Sequence, residues 1–594
     1  MTQAPGARRV SGAHRGAPQL SLRAAVMGLL LGGGLCLSNL YVVLKTGWSI
    51  GVTITATVVA FVAFRALRLL GLFTRELSPL ENNAVATVAS AGAWMTGGGN
   101  MAALPALLVL TGARPGGFAM FAWFAVIAAL GVFAAIPLKR QLIDREQLPF
   151  PQSVATAETI RSLHVGSGSP TARRLLGAGL VAALFTAWRE GPGRWPRPPA
   201  RLTLPFALHG HPLAAWSLGF DLSLVLLGGG ALMGLRTASS MLVGAVLTYG
   251  VLAPALVEAG AIRAVDFKSI VELTLWPGAA LLASSGVVSF LPQLRGIPRG
   301  VMDLRGAWER RRRDGREGDD EAPLWWFVAG FGVLSPIMVG LMWHLFGIPL
   351  WAGLLAIPLS LAVGVIAARV TGETDVTPTK AMGPLTQLVF GVVLPANLTA
   401  NIMSANVTTG VGLHAADLLG DLKTGHLLGA SPRQQVYAQL LGLLVGALVL
   451  VPAFNLLVPT ADVLGSEEFP APSVLVWASV SRALTQGLEG LSPTVRWAIA
   501  LGGALGVALP VLETFVPARW RRWIPSPSGL GIAMVTPGSF SLAMFAGAAV
   551  AALVRWRWPR FGQAGLVPIA SGLVAGESLM GITIVLARAL LGAG

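Results

Sequence analysis

The sequence predicts an all-α, polytopic integral membrane protein with about sixteen transmembrane helices. Of the 594 residues, 54% are hydrophobic and only 12% are charged, whereas about 25% of the residues in an ordinary soluble domain are charged. A spanning helix needs about 20 consecutive, mainly apolar residues. Such runs recur along the whole chain, for example at residues 22–44, 118–138, 324–346 and 349–368.

The basic loops between the apolar runs predict the domain organisation. The most basic loop contains Arg310 to Arg313 and falls near the middle of the chain. Because Lys and Arg collect on the cytoplasmic side of membrane proteins, we expect this loop and the N-terminus to be cytoplasmic. The resulting division is a basic N-terminal arm (1–20), an N-terminal transmembrane bundle (21–294), a basic cytoplasmic linker (295–323) and a C-terminal transmembrane bundle (324–594).

Two stretches of sequence indicate an internal duplication. Residues 47–70 followed by Ser78-Pro79 parallel residues 347–370 followed by Thr377-Pro378. Many secondary transporters are built from repeated bundles, with the substrate site between them. We therefore predict two related halves.

The composition excludes several classes of function. The net charge of +16 comes from basic residues that flank apolar runs, so it indicates bilayer edges and no nucleic-acid partner. With Cys36 as the single cysteine, neither an intrachain disulfide nor a cysteine-based metal site is possible. No Gly-Lys dipeptide occurs, so there is no P-loop and the chain itself does not use ATP.

Glycine, proline and asparagine interrupt two of the apolar runs. They occur at residues 97–100 with Pro105, and at residues 401–412. Irregular backbone inside hydrocarbon is tolerated only where it contacts protein or lines a cavity, and broken helices can present free N–H groups to a carboxylate or amide. The alternative is that these glycines only allow close helix packing. The predicted contacts with a transported solute are Asn100, Asn401, Ser404 and Asn406.

Acidic residues in or beside the spans are candidates for binding a coupling ion, because burying a charge in a membrane is costly. Asp221 and Glu577 lie within long apolar runs, and they are the first predicted proton-coupling residues. Glu373 and Asp375 come second. Like Glu81, each is expected to begin a helix, and the alternative is that it merely caps the N-terminus of that helix.

The densest polar segment follows the second of these interruptions. If it is helical, His414, Asp417 and Asp421 share one face, and Lys423 and His426 follow. This face could be a proton relay or a metal site. The alternative is a solvated face of a connecting helix, whose charges pair with Lys423 and Arg433.

Two functions from other classes stay open at this point. An intramembrane hydrolase could use Ser49, in Gly47-Trp-Ser49-Ile-Gly51, as a nucleophile, or His414 with Asp417 and Asp421 as metal ligands. A lipid scramblase could use a glycine-lined groove. The Ser49 motif opens a membrane helix instead of ending a strand, so it does not fit a nucleophile elbow.

An ordered set of motifs resembles the oligopeptide transporter family, which includes the yellow stripe-like metal-chelate transporters. The set is Ser78-Pro-Leu-Glu-Asn-Asn83, Gln147-Leu-Pro-Phe-Pro-Gln-Ser153, Gly372-Glu-Thr-Asp375 with Lys380-Ala-Met-Gly383, Asn401 to Asn406, and Gly412 to Gly429. Residues 412–426 are its most specific piece.

The resemblance implies a bundle of about sixteen helices in two related halves that drives uptake with the proton gradient. It places residues 401–406 on or beside the translocation path, and it matches Glu577 to a polar interruption late in the family pattern. We therefore expect a non-enzymatic, multi-pass transporter of the cytoplasmic (inner) membrane, with protons as the coupling ion and no cofactor. Besides the lipid bilayer, its partner would be an oligopeptide, a peptide-like compound or a metal chelate.

Overall fold

The computed structural model describes residues 19–591 apart from residues 48, 50–51, 73–74, 98, 166–169, 192–195, 204, 263, 291–320, 375–376, 378 and 488–491. Most of the described chain is helical, which confirms the predicted all-α class. The basic linker predicted at 295–323 lies outside the described residues except for its last three, as does most of the N-terminal arm.

Eleven helices precede the linker in the described chain. They are α1 (Leu22–Thr46), α2 (Thr53–Leu69), α3 (Pro79–Trp94), α4 (Asn100–Thr111), α5 (Gly117–Lys139), α6 (Pro151–Val165), α7 (Pro170–Glu190), α8 (Leu224–Met233), α9 (Leu235–Ala245), α10 (Ala253–Glu258) and α11 (Phe267–Phe290). Turns of π-helix continue α5 over Arg140–Arg145 and join α9 to α10 over Val246–Leu252.

Eleven more described helices follow the linker. They are α12 (Leu324–Phe346), α13 (Leu350–Thr374), α14 (Thr379–Val393), α15 (Leu398–Leu428), α16 (Pro432–Leu457), α17 (Pro472–Gln486), α18 (Pro493–Phe515), α19 (Ala518–Arg521), α20 (Pro527–Ala533), α21 (Gly538–Arg557) and α22 (Pro559–Leu591). A short 3-10 helix covers Ala461–Val463.

Ten helices of the described chain are long and apolar enough to cross a membrane, and they confirm a polytopic membrane protein. They include α1, α5 with its π-helical end, and the adjacent pair α12 and α13. Others, such as α4 and α8, are apolar but shorter. The total of about sixteen spans stays a prediction. Helices that are shorter or more polar than these ten can also lie in the membrane if neighbouring helices shield them from lipid.

Four two-residue strands form two small hairpin-like pairs between α7 and α8. β1 (Arg201–Leu202) pairs with β4 (Phe220–Asp221), and β2 (Ala207–Leu208) pairs with β3 (His211–Pro212), both antiparallel. The prediction that Asp221 lies within a long apolar span is therefore wrong. Its carboxylate accepts the N–H of Ser223 at 2.9 Å, and this local bond competes with a helix. Ser223 then caps α8.

The helix order around the two parallel stretches is alike. In each, a long helix ends at a left-handed glycine, Gly47 (φ 72°) or Gly347 (φ 63°), and a second helix follows. A third begins at Pro79 or Thr379. The internal duplication stays a prediction that this order favours.

Helix α15 lies at the centre of the largest hydrophobic core. It contacts α3, α4, α5 and α6 from before the linker, and α13, α14, α16 and α17 from after it. Every residue from Ala400 to Ala416 is buried. With 31 residues, α15 is also longer than the other helices named for this core, and at 1.5 Å per residue it extends about 46 Å. The candidate site is built on this enclosed helix.

Candidate functional site

Helix α15 holds polar side chains in an environment without bulk water. Its first turn is capped by Asn397, whose side chain accepts the N–H of Ala400 at 2.8 Å. It ends at Gly429, in the left-handed conformation with φ 81°. Asn401, Ser404, Asn406 and His414 each have 0% of their surface exposed. Buried polar groups need partners, so the partner of each decides what it can do.

Asn406 is fully bonded within the protein. Its amide oxygen accepts the indole N–H of Trp123 at 2.6 Å. Its amide nitrogen donates to the carbonyl oxygen of Gly99 at 2.8 Å and to Oδ1 of Asn100 at 3.1 Å. Asn100 in turn donates to the carbonyl of Met95 at 3.0 Å. These two predicted substrate contacts thus fasten α15 to the break between α3 and α4.

Gly97 and Gly99 allow that break to approach α15. A Cβ atom at Gly97 would lie 2.0 Å from Leu413 Cδ2, and one at Gly99 would lie 2.9 Å from Thr409 Cγ2. The close packing that the alternative above requires is therefore present at both glycines. The break also frees the Gly99 carbonyl that Asn406 binds.

Asn401 and Ser404 differ from Asn406. Asn401 donates to the backbone carbonyl of Gln387 at 2.6 Å. In the part of the chain that the structure describes, its Oδ1 atom and the Ser404 hydroxyl have no hydrogen-bond partner, and neither does Oε1 of Gln387. Three buried oxygen atoms on α14 and α15 can therefore accept hydrogen bonds from a solute or from water.

Asp417 and Asp421 lie one helical turn apart on α15. Asp417 accepts hydrogen bonds from Ser90 of α3 at 3.0 Å and from Gln439 of α16 at 2.6 Å. Asp421 is 4% exposed, and its Oδ2 atom has no partner among the described residues. No lysine or arginine of the described chain forms an ion pair with either carboxyl group. Asp421 is buried and Asp417 half-buried, so the two form a partly buried acidic pair without a cation partner among the described residues.

The solvated-face interpretation of this helix is wrong. Lys423 is only 8% exposed, and Arg433 lies over the ring of Trp326 instead of pairing with an aspartate. Asp417 and Gly420 are partly exposed, and His426 in the last turn is exposed, with its Nδ1 atom 3.7 Å from Asp144. The solvated interpretation failed because the spacing of charges does not reveal which helices surround them.

His414 is buried against α5. A Cβ atom added at Gly131 would lie 2.7 Å from the Cβ atom of His414. Neither ring nitrogen of His414 has a hydrogen-bond partner within the described chain. Across these same residues, no group of three or more His, Cys, Asp and Glu side chains could hold a metal ion. The shared face of His414, Asp417 and Asp421 is thus not assembled as a three-ligand metal site.

Glu577 lies in a second buried cluster. It is 0% exposed and forms an ion pair with Arg189 of α7 at 3.2 Å. It also accepts the Ser223 hydroxyl at 2.7 Å and the N–H groups of Leu224 and Val225 at the N-terminus of α8. A carboxylate there neutralises the helix dipole. Glu577 therefore joins α7, α8 and α22, and its coupling role stays a prediction.

The remaining predicted acids are a cap and two residues that the structure does not describe in full. Ser78 and Glu81 form a reciprocal capping box at the start of α3, and Arg23 pairs with Glu81 at 2.6 Å. This confirms the capping alternative for Glu81. Glu373 lies in the last turn of α13 (Leu350–Thr374), so the expectation that it begins a helix is wrong. Its side chain and Asp375 lie outside the described residues, so the coupling role of both stays a prediction.

Sequence reasoning missed the partners of these groups. Ser90, Gln387 and Gln439 contact the polar face of α15, and Arg189 pairs with Glu577. Each is a polar residue in or at the end of a mainly apolar stretch. That position was the available signal, because a polar side chain buried in a membrane needs a partner.

The family model of the oligopeptide transporter proteins matches residues 19–588. The chain belongs to the oligopeptide transporter family. This oligopeptide transporter family member is 26% identical to a Saccharomyces cerevisiae protein named as an oligopeptide transporter, over 95% of each chain. It is 25% identical to a Haemophilus influenzae protein of the same description, over 91% of each chain. It is 26% identical to the iron-phytosiderophore transporter yellow stripe 1 of Zea mays, over 94% of this chain and 89% of that protein.

Family membership confirms the resemblance and the transporter function predicted from the motifs. The match covers both the enclosed helix α15 and the cluster around Glu577. The buried polar groups of this oligopeptide transporter family member are therefore parts of a transport protein.

Proposed function

We propose that this protein takes up a peptide-like solute together with protons across the cytoplasmic membrane. The observation that carries the coupling is the Asp417–Asp421 pair, in which Asp421 is buried and Asp417 is half-buried, and neither has a cation partner in the described chain. An ionised carboxylate without a partner is strongly disfavoured in such a place, whereas a protonated one is not. The pair can thus hold a proton that it releases when the helices around α15 rearrange.

The solute contacts are the unpartnered oxygens of Asn401 and Ser404. Peptide N–H groups and ammonium groups are donors, and these two oxygens are acceptors. Both residues lie on α15, as the acidic pair does, so one helix carries the solute contacts and the proton site. Movement of α15 relative to its neighbours would couple the two, as alternating access requires.

A metal chelate is the second candidate solute. The Zea mays relative is named as an iron-phytosiderophore transporter, and an Oryza sativa relative, 26% identical, is named as a metal-nicotianamine transporter. Such chelators are built from amino-acid-like units, so they share carboxylate and amine groups with peptides. The metal would then travel as part of the solute.

Uptake into proteoliposomes tests the proposed function. Purified full-length protein is reconstituted, and accumulation of labelled trialanine and of iron–nicotianamine is followed under an imposed inward proton gradient. We expect one probe to accumulate above its external concentration, and a protonophore to abolish this accumulation. Accumulation that persists with the protonophore would exclude proton coupling, and equilibration without accumulation would exclude active transport.

A further inference from the structure

Lys45 is a buried lysine at the C-terminal end of α1. It is 8% exposed. Its ammonium nitrogen lies 5.6 Å from the ring centre of Tyr41 and 5.7 Å from the ring centre of Phe540. Tyr41 is 5% and Phe540 2% exposed, so the ammonium lies close to two buried aromatic rings, one from α1 and one from α21. Such rings attract a cation but do not accept its hydrogen bonds as a carboxylate would.

No described residue forms an ion pair or hydrogen bond with the Lys45 ammonium. A second buried lysine shows the contrast. Lys139 is 5% exposed, and its ammonium pairs with Glu321 at 2.6 Å and with Asp144 at 3.1 Å. Buried charges are normally paired, because removing an ammonium from water is costly. Lys45 therefore lacks the partner that Lys139 has.

The acidic groups that act on Lys45 through space have other partners. These groups are Glu577 and Asp221, and Arg189 acts on Lys45 with the opposite sign. The oxygens of Glu577 accept donors from α8 and from Arg189, which also pairs with Glu190. Asp221 accepts the N–H of Ser223. These carboxylates stabilise the positive charge from a distance and leave the ammonium donors free.

The end of α1 accounts for part of this arrangement. A cation near a helix C-terminus interacts favourably with the helix dipole. That interaction explains a lysine at this position. It does not explain an ammonium held close to two buried rings without an anionic partner among the described residues.

We propose that Lys45 binds a carboxylate of the transported solute. The ammonium has three N–H donors, and a carboxylate accepts charge-assisted hydrogen bonds from such a donor. Peptides carry a C-terminal carboxylate, and amino-acid-like chelators carry several. The inference rests on the proposed function, and it assigns the anionic end of the solute to the contact between α1, α21 and the cluster around Glu577.

Binding to detergent-solubilised full-length protein tests this site. The probes are trialanine and iron–nicotianamine, each compared with a form whose carboxylates are converted to amides. We expect the wild type to prefer the free acid of at least one probe by about 10- to 100-fold, the range typical of one lost charge-assisted hydrogen bond. Lys45→Gln should remove this preference, and Lys45→Arg should retain part of it. Lys139→Gln, a change at a buried lysine that has acidic partners, should leave the preference unaltered.

Each result decides the proposal separately from the transport function. Persistence of the free-acid preference in Lys45→Gln would overturn it, and so would absence of the preference in the wild type for both probes. Thermal unfolding of the unliganded variants identifies a misfolded Lys45→Gln, in which case Lys45→Arg and Lys45→Met decide by the same comparison. If proton-driven uptake fails while Lys45 still sets the preference, the site stands and the proposed function does not. If proton-driven uptake proceeds but the wild type shows no preference for the free acid, the proposed function stands and the Lys45 site does not.

Discussion

Asn401 and Asn406 lie five residues apart on α15, and their amide groups have different surroundings. All of the polar atoms of the Asn406 side chain are bonded to Trp123, Gly99 and Asn100. The oxygen of Asn401 has no partner in the described chain. From the sequence alone, both asparagines were predicted to contact the transported solute. The contacts divide them into a residue that fastens the helix and a residue that can receive a solute.

Alanine substitutions should separate these two roles. Asn406→Ala leaves one donor and two acceptors buried without a partner, and each costs about 1–3 kcal/mol of unfolding free energy. We expect a lower melting temperature in detergent. Asn401→Ala should weaken solute binding with little change in melting temperature. Asn455→Ala, which removes only a contact with Arg114 at the surface, should change neither. Loss of affinity in Asn406→Ala at unchanged stability would contradict this division.

Among the helices, the junction of α7, α8 and α22 depends on a single carboxylate. Glu577 neutralises Arg189 and caps α8, although the sequence separates it from Arg189 by 388 residues. A junction of this kind holds short helices such as α8, of ten residues, in place. Its stability should therefore depend on the charge of Glu577.

Glu577→Gln tests the junction. The amide keeps the size of the side chain but leaves Arg189 with Glu190 as its one acidic partner among the described residues. Breaking a buried ion pair by removing one partner costs about 3–5 kcal/mol, and Glu190 should reduce the loss. We expect a lower melting temperature, partly restored in the double variant with Arg189→Met. A single variant as stable as the wild type would show that the pair is not structural. Loss of gradient-driven uptake with exchange preserved would instead support the predicted coupling role.

Close packing between α5 and α15 is a second feature at this scale. A Cβ atom at Gly131 would lie 2.7 Å from both the carbonyl oxygen of Val411 and the Cβ atom of His414. Gly131→Ala should therefore force the two helices apart and destabilise the protein by about 1–3 kcal/mol. Gly34→Ala in α1 is the matched control. Its Cβ atom would meet nothing within 4 Å, so we expect equal or greater stability. Equal melting temperatures for the two variants would contradict this packing.

For the whole molecule, the sequence predicted the class and the family but not the surroundings of the polar groups. Apolar length predicted the membrane helices, and ordered motifs predicted the family. Burial of Lys423 and the contact of Ser90 with Asp417 depend on how helices far apart in sequence pack together. Asp221 was misplaced because a hydrophobic count does not register its hydrogen bond with Ser223. Local patterns cannot contain such long-range information.

The central claim is that protons enter with the solute through the Asp417–Asp421 pair. Its most direct test records solute uptake and acidification of the lumen together, with a trapped pH-sensitive dye, in proteoliposomes of the wild type, Asp421→Asn and the surface control Asp462→Asn. The wild type and Asp462→Asn should accumulate the solute and acidify the lumen when it is added. Asp421→Asn should exchange internal for external solute but neither accumulate it nor acidify the lumen. Accumulation with wild-type acidification in Asp421→Asn would contradict the claim.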